Sequence, residues 1–95
     1  MEGLDMHGFN SDIRDRVVSL VQEILAQNEI TSDITPGARL VDVGLTSMDM
    51  VNLMLGIEAE FDFMIPQDLI TPENFQSVAT LERLVAGQLA AEKAA

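Results

Sequence analysis

The sequence predicts an all-α protein: a small four-helix bundle of three main helices plus a short third helix, with a long loop between helices one and two. Three observations carry that prediction. Apolar residues recur at helical spacing in three stretches: Ile13-Val17-Leu20-Val21-Ile24-Leu25, residues 47–61, and Val78-Leu81-Leu84-Val85-Leu89. Turn and breaker residues (Thr35-Pro36-Gly37, Gly44, Pro66, Thr71-Pro72) fall between them, and no stretch reads convincingly as a strand. The hydrophobic share, 47%, is that of a folded domain, but with four Phe and no Trp or Tyr the core is aliphatic, with six Met as adaptable filler.

Residues 1–9 hold two glycines and no periodicity and read as a flexible leader. Asn10 or Ser11 can cap the first helix, with Asp12 in the first turn where the helix dipole favours an acid. That helix runs to about Asn28. From Glu29 to Thr46 the periodicity stops. A linker this long folds onto the core only if it brings apolar anchors, and Ile34, Leu40, Val43 and Leu45 are the candidates.

The second helix spans Ser47 to Phe61, and the bend Asp62 to Pro66 ends it. Thr71 followed by Pro72 is the pattern of a cap with proline at the first helical position, which predicts the short third helix near Glu73 to Phe75. Ser77 can cap the last helix, and residues 90–95 read as a flexible tail. The folded domain is therefore 10–89, a single unit.

On a helical wheel the second helix carries an apolar arc of roughly 220°, about twice the stripe needed to face one core. Asp49, Asn52, Gly56, Ala59 and Glu60 form its polar or small-residue sector. Either the helix is buried on both sides, or one sector faces the core and the other faces a partner. Glu58 decides between them, because it lies in the Val51/Leu55 sector and an unpaired acid is costly to bury. Leu53, Met54, Ile57 and Phe61 are thus expected in the core, and Met48, Val51 and Leu55 on the surface as an apolar patch. Such patches mark interaction sites.

Charge points the same way. Sixteen acids against five bases give −11, and no basic residue occurs between Arg39 and Arg83, an interval that holds eight acids. A field of one sign repels nucleic acid and steers basic protein surfaces toward it. The chain has no cysteine, so it has neither disulfide nor thiolate chemistry. No apolar run approaches the ~20 residues of a membrane span, and MEGLDMHGFN lacks the basic and apolar regions of a signal peptide. A cytoplasmic protein is expected, monomeric in view of its charge, without nucleic-acid or membrane partners.

Ser47 opens the second helix and admits three roles. It can be an ordinary N-cap. It can be a nucleophile, but that needs a base, and the only histidine is His7 in the leader. It can also hold a phosphate, which free N–H groups and the helix dipole stabilise at a helix N-terminus. No catalytic residue is assigned, and no metal site, since the acids lack metal-loop spacing.

The residues Leu45-Thr46-Ser47-Met48, followed by Val51, Leu55, Glu58-Ala59-Glu60-Phe61 and Ile65-Pro66, resemble the acyl carrier and peptidyl carrier protein family. The resemblance covers about residues 11–89, including the long loop and the short third helix. It implies that Ser47 carries 4'-phosphopantetheine as a phosphodiester, with the cargo as a thioester on the arm's sulfur. It implies as partners a phosphopantetheinyl transferase, a cargo-loading ligase or synthetase, and a downstream transferase. The implied partner-binding face is Met48, Asp49, Val51, Leu55, Glu58 and Asp62. Thr46 stands where the family most often has aspartate, Met48 where it most often has leucine, and Asn52 where fatty-acid carriers commonly have an acid. These departures, with Ile70-Thr71-Pro72-Glu73-Asn74-Phe75, are similar to stand-alone carriers such as aminoacyl carrier proteins. The rival readings are an unmodified acidic helical adaptor that binds a basic protein surface, and an acidic nucleic-acid mimic.

Overall fold

The computed structural model describes residues 6–31 and 33–94. Helix α1 spans Met6–Gln27, α2 Leu40–Val43, α3 Ser47–Phe61 and α4 Val78–Ala94, with one 3-10 turn at Gln67–Leu69. No strand occurs among the described residues, and no helix there is long and apolar enough to cross a membrane. The principal helix contacts run from α1 to both α3 and α4, so α1 is the spine of the bundle. Ile13, Val17, Val21, Ile24 and Leu25 of α1 are buried against Leu53, Ile57 and Phe61 of α3 and Val78, Leu81, Leu84 and Val85 of α4. Each fully buried aliphatic among them contributes about 1.5–3 kcal/mol over its exposed state.

Helices α1 and α3 end the same way. Glu29 and Asp62 adopt left-handed backbone, φ 59° and 60°. The next N–H then reaches back to the last turn: Ile30 N donates to Leu25 O at 2.8 Å, and Phe63 N to Glu58 O at 3.2 Å. In this terminating motif the following apolar residue folds onto the helix it closes. Ile30 and Phe63 accordingly join the core cluster.

The linker packs as its apolar residues predict. Leu40 and Leu45 are buried, and Ile34 and Val43 lie partly buried against the core. It is also strapped to the start of α4, where Leu40 N donates to Gln76 O and Ala79 N to Pro36 O. Within it lies α2, a single turn that the sequence reading treats as loop. Gly44 ends that turn at φ 126°, where a Cβ would sit 2.8 Å from Ile30 Cδ1. Only glycine reaches this backbone without strain.

Three further boundaries differ from expectation. Helix α1 begins at Met6, so the expected cap positions Asn10 and Ser11 lie inside it and not at its start. One glycine costs a helix only about 1 kcal/mol, which continuation of the helix can offset. Residues 1–5 of the expected leader lie outside the described residues. At the other end α4 continues through 90–94, because Ala, Glu and Lys are strong helix formers and no breaker intervenes. The short helical piece is the 3-10 turn at Gln67–Leu69, whereas residues 72–75 form only a hydrogen-bonded turn. Thr71 does cap that turn: its Oγ1 accepts from Asn74 N and its carbonyl from Phe75 N.

Candidate functional site

Helix α3 starts where the periodicity places it, but its cap is Thr46. Thr46 has extended backbone, and its Oγ1 accepts from Asp49 N at 3.2 Å. Asp49 returns the bond, its Oδ2 accepting from Thr46 N at 2.9 Å, so the pair forms a reciprocal capping box. Asn28, just past the end of α1, donates from Nδ2 to the same Oδ2 at 2.9 Å. These contacts draw the Asp49 carboxyl below its ordinary pKa. The Thr46 N–H is the largest cause, burial opposes it, and the Thr46 hydroxyl and Asn28 add to it.

Ser47 is therefore the first residue of the helix and not its cap. It is exposed, and its hydroxyl makes no hydrogen bond among the described residues. Two features suit it to carry an anionic group: an uncommitted hydroxyl, and a first helical turn whose N–H groups lack intrahelical acceptors. A base is missing. His7 belongs to the first turn of α1, while Asn28, which touches Asp49, lies past its last turn. At 1.5 Å per residue the two ends are roughly 30 Å apart along the axis.

The predicted partner face divides. Met48 (68% exposed), Val51 (47%) and Leu55 (53%) line up on the outer side of α3, as the wheel analysis requires. Asp62, at the far end of the helix, is also exposed. Asp49 is not on this face: it is buried, 8% exposed, and occupied by the capping box. The wheel places it in a polar sector, but a residue three positions past the cap turns back toward it. The spacing Thr46-x-x-Asp49 is the signal that could have shown this. Glu58 is half-buried, and its Oε2 accepts from Ile65 N at 2.9 Å, tying the chain after α3 back to the helix. It supports the face from behind more than it presents a charge.

The structure adds what the sequence reading missed. Val41 and Ile70 are exposed large apolar residues, and they flank an open groove of about 490 Å³ beside Ser47. Met50, Val51, Met54 and Phe75 form its apolar walls, and Arg39 and Ser47 stand at its edge. It exists because α3 packs mainly on α1, leaving the side toward residues 70–76 open. Val41 was detectable in principle, since Leu40 and Val43, three apart and both turned toward the core, leave Val41 outward if the segment is a helical turn.

Comparison with known proteins adds three findings. The family described as "Phosphopantetheine attachment site" matches residues 15–86. Aminoacyl carrier protein 1 of Bradyrhizobium diazoefficiens is 69% identical over 84 residues, covering 88% of this chain and 93% of that protein. Two solved structures are similar as well. In one, a Bradyrhizobium japonicum glycine:[carrier protein] ligase is complexed with its cognate carrier protein and an analogue of glycyl adenylate. Its matching chain is 70% identical with TM-score 0.70, covering 80% of this chain and 99% of that one. In the other, the same ligase is complexed with glycylated carrier protein, and the match is 71% identical with TM-score 0.67, covering 76% and 97%.

Proposed function

The chain belongs to the phosphopantetheine-attachment family, and from that premise we propose that it is a discrete aminoacyl carrier protein whose 4'-phosphopantetheine is attached at Ser47. The observation that carries the attachment point is the division of labour at the head of α3. Thr46 caps the helix, so the Ser47 hydroxyl is exposed and uncommitted.

In attachment, Ser47 Oγ forms a new P–O bond as the pyrophosphate of coenzyme A breaks. Its proton passes to the transferase's base, and the nucleotide half of coenzyme A leaves. When bound, the arm supplies a terminal thiol that holds cargo as a thioester. The first turn of α3 stabilises the phosphodiester's charge. Met48, Val51 and Leu55 give partner enzymes an apolar strip beside the attachment point, with acids elsewhere on the chain steering the encounter. The protein catalyses nothing itself. It raises the cargo's effective concentration at successive active sites.

The cargo proposed is an amino acid, and glycine is the first candidate, because the similar carriers stand in complexes with a glycine ligase. The partners are accordingly a phosphopantetheinyl transferase, an adenylating ligase and a downstream transferase. The carrier domain is taken as 10–89, and the protein as a cytoplasmic monomer.

The test is intact mass after incubation with coenzyme A, Mg²⁺ and a broad-specificity phosphopantetheinyl transferase. One phosphopantetheine adduct is expected on the wild type and none on Ser47→Ala. An adduct that survives Ser47→Ala, or no adduct on the wild type, refutes the assignment. Function that survives Ser47→Ala but not Val51→Asp would point instead to an unmodified adaptor.

A further inference from the structure

The groove beside Ser47 is electrostatically unlike the rest of the molecule. The chain carries −11, yet no acid lines this groove, and its single charged lining residue is a cation, Arg39. The acid nearest in sequence, Asp49, has its carboxyl turned inward to Thr46 and Asn28. Arg14 pairs with Glu82 and Arg16 with Glu60 and Asp12, and Arg39 itself touches one acid, Asp42.

Arg39 is well placed to act on something outside the protein. Its backbone is held, since its carbonyl accepts from Asp42 N and Val43 N to start α2, and the next N–H donates to Gln76 O. Its Nε donates to Asp42 Oδ2 at 3.1 Å, which sets the plane of the guanidinium. Among the described residues that is the only hydrogen bond the side chain makes, leaving both terminal nitrogens available. As an exposed i,i+3 ion pair the Asp42 contact adds little stability. A planar guanidinium with two terminal nitrogens offered suits a phosphate's oxygens better than a lysine ammonium would.

We propose that Arg39 is an arm-positioning residue, pairing with the phosphodiester at Ser47 and directing the start of the arm into the groove between α2, α3 and residues 70–76. The inference rests on attachment at Ser47. Arg39, its Nε held by Asp42, offers its terminal nitrogens to the one anion that modification adds. The neutral Thr46 cap completes the arrangement by keeping a second carboxylate away from it.

The experiment uses the modified protein and first records its mass, so failure at Ser47 is seen separately; absence of the adduct overturns the inference along with the attachment. With the adduct present, the Arg39 side-chain Nε–H resonance is compared between unmodified and modified wild type. Phosphorus NMR of the phosphodiester is then compared among wild type, Arg39→Gln, Arg39→Lys and Asp42→Asn. Modification is expected to move the Arg39 resonance. Arg39→Gln should release the phosphorus, lowering its protein-held population roughly two- to five-fold, as for an exposed ion pair. Arg39→Lys should recover part of that loss, Asp42→Asn should keep the wild-type signal, and about 1 M salt should mimic Arg39→Gln. An Arg39 resonance unmoved by modification overturns the proposal without any variant having to fold. An unchanged phosphorus signal in Arg39→Gln also overturns it. So does an equal change in Asp42→Asn, which would place the effect in the fold of α2. Slower ligase loading with an unchanged phosphorus signal would make Arg39 a partner contact instead.

Discussion

Replacing Thr46 separates its two possible contributions, a cap and a charge state next to Ser47. The cap bond is Asp49 N to Thr46 Oγ1 at 3.2 Å, on an exposed residue. Thr46→Ala removes it while Thr46 N can still donate to Asp49, so the loss is that of a single N-cap, about 1 kcal/mol. For a domain near 100 residues that is a fall in Tm of roughly 4–8 °C. Thr46→Ser keeps the acceptor and should melt with the wild type. Thr46→Asp keeps an acceptor too, but sets a second carboxylate beside Asp49, and should stay within about 0.5 kcal/mol. Thermal unfolding by circular dichroism reads all three. Initial rates of phosphopantetheine transfer read the site: Thr46→Ala loosens the turn that presents Ser47 by about five-fold in its open fraction and should slow modification by no more than that. A Thr46→Ala variant that melts with the wild type refutes the capping account. A Thr46→Asp variant that loses as much as Thr46→Ala shows that the neutral side chain matters for something besides capping.

Three other outcomes follow from the geometry. Gly44→Ala should lower stability by about 1–2 kcal/mol or more, measurable by denaturant titration, because φ 126° is strained for alanine and its Cβ would collide with Ile30 Cδ1 at 2.8 Å. Val51→Asp and Leu55→Asp, at exposed positions, should melt within about 0.5 kcal/mol of wild type. Both should raise the loading ligase's KM, and a variant that loads normally would remove its residue from the partner face. The Asp49 carboxyl has a folded pKa below the ordinary 3.8. Its stabilisation is therefore fully present above that ordinary value and lost as pH falls through the folded one. The Tm gap between wild type and Asp49→Asn should be widest near neutrality and close in strong acid, and a gap that widens on acidification would contradict the assigned bonds.

The parts of the fold legible in the sequence are those fixed by long periodic burial. Helix α3 runs from Ser47 to Phe61 as predicted, because Leu53, Ile57 and Phe61 share one face and Asp62 can adopt the left-handed turn that closes it. What escaped depends on contacts distant in sequence. Four residues cannot nucleate a helix on their own. Helix α2 exists because Gln76 accepts from Leu40 N and Leu40 is buried, and nothing local announces that strap. Thr71-Pro72 gave a correct cap signal for a turn too short to continue, and the 3-10 turn formed upstream of it. At the site, Ser47 and the Met48/Val51/Leu55 strip were visible, since hydroxyl position and helical spacing are local properties. The groove was not, because α2, α3 and the segment before α4 have to meet to form it.

Thr46 looks at first like a departure from the motif that the sequence resembles, a neutral residue where the resemblance leads one to expect an aspartate. The geometry gives a different reading. An aspartate and a threonine at this position can both supply the oxygen that accepts from Asp49 N–H, so the helix start does not depend on which is present. What changes is the electrostatics around Ser47. With Thr46 neutral and Asp49 bound inward, the only charged side chain lining the neighbouring groove is Arg39. None of the acids that give the chain its −11 lines the groove, although Asp42 pairs with Arg39, and they can steer a basic partner over distances comparable with the Debye length while leaving the proposed phosphate on Ser47 largely unopposed. Long-range attraction of partners and local tolerance of an anion are thus assigned to different residues. A substitution such as Thr46→Asp, nearly neutral for folding, tests the second while leaving the first intact.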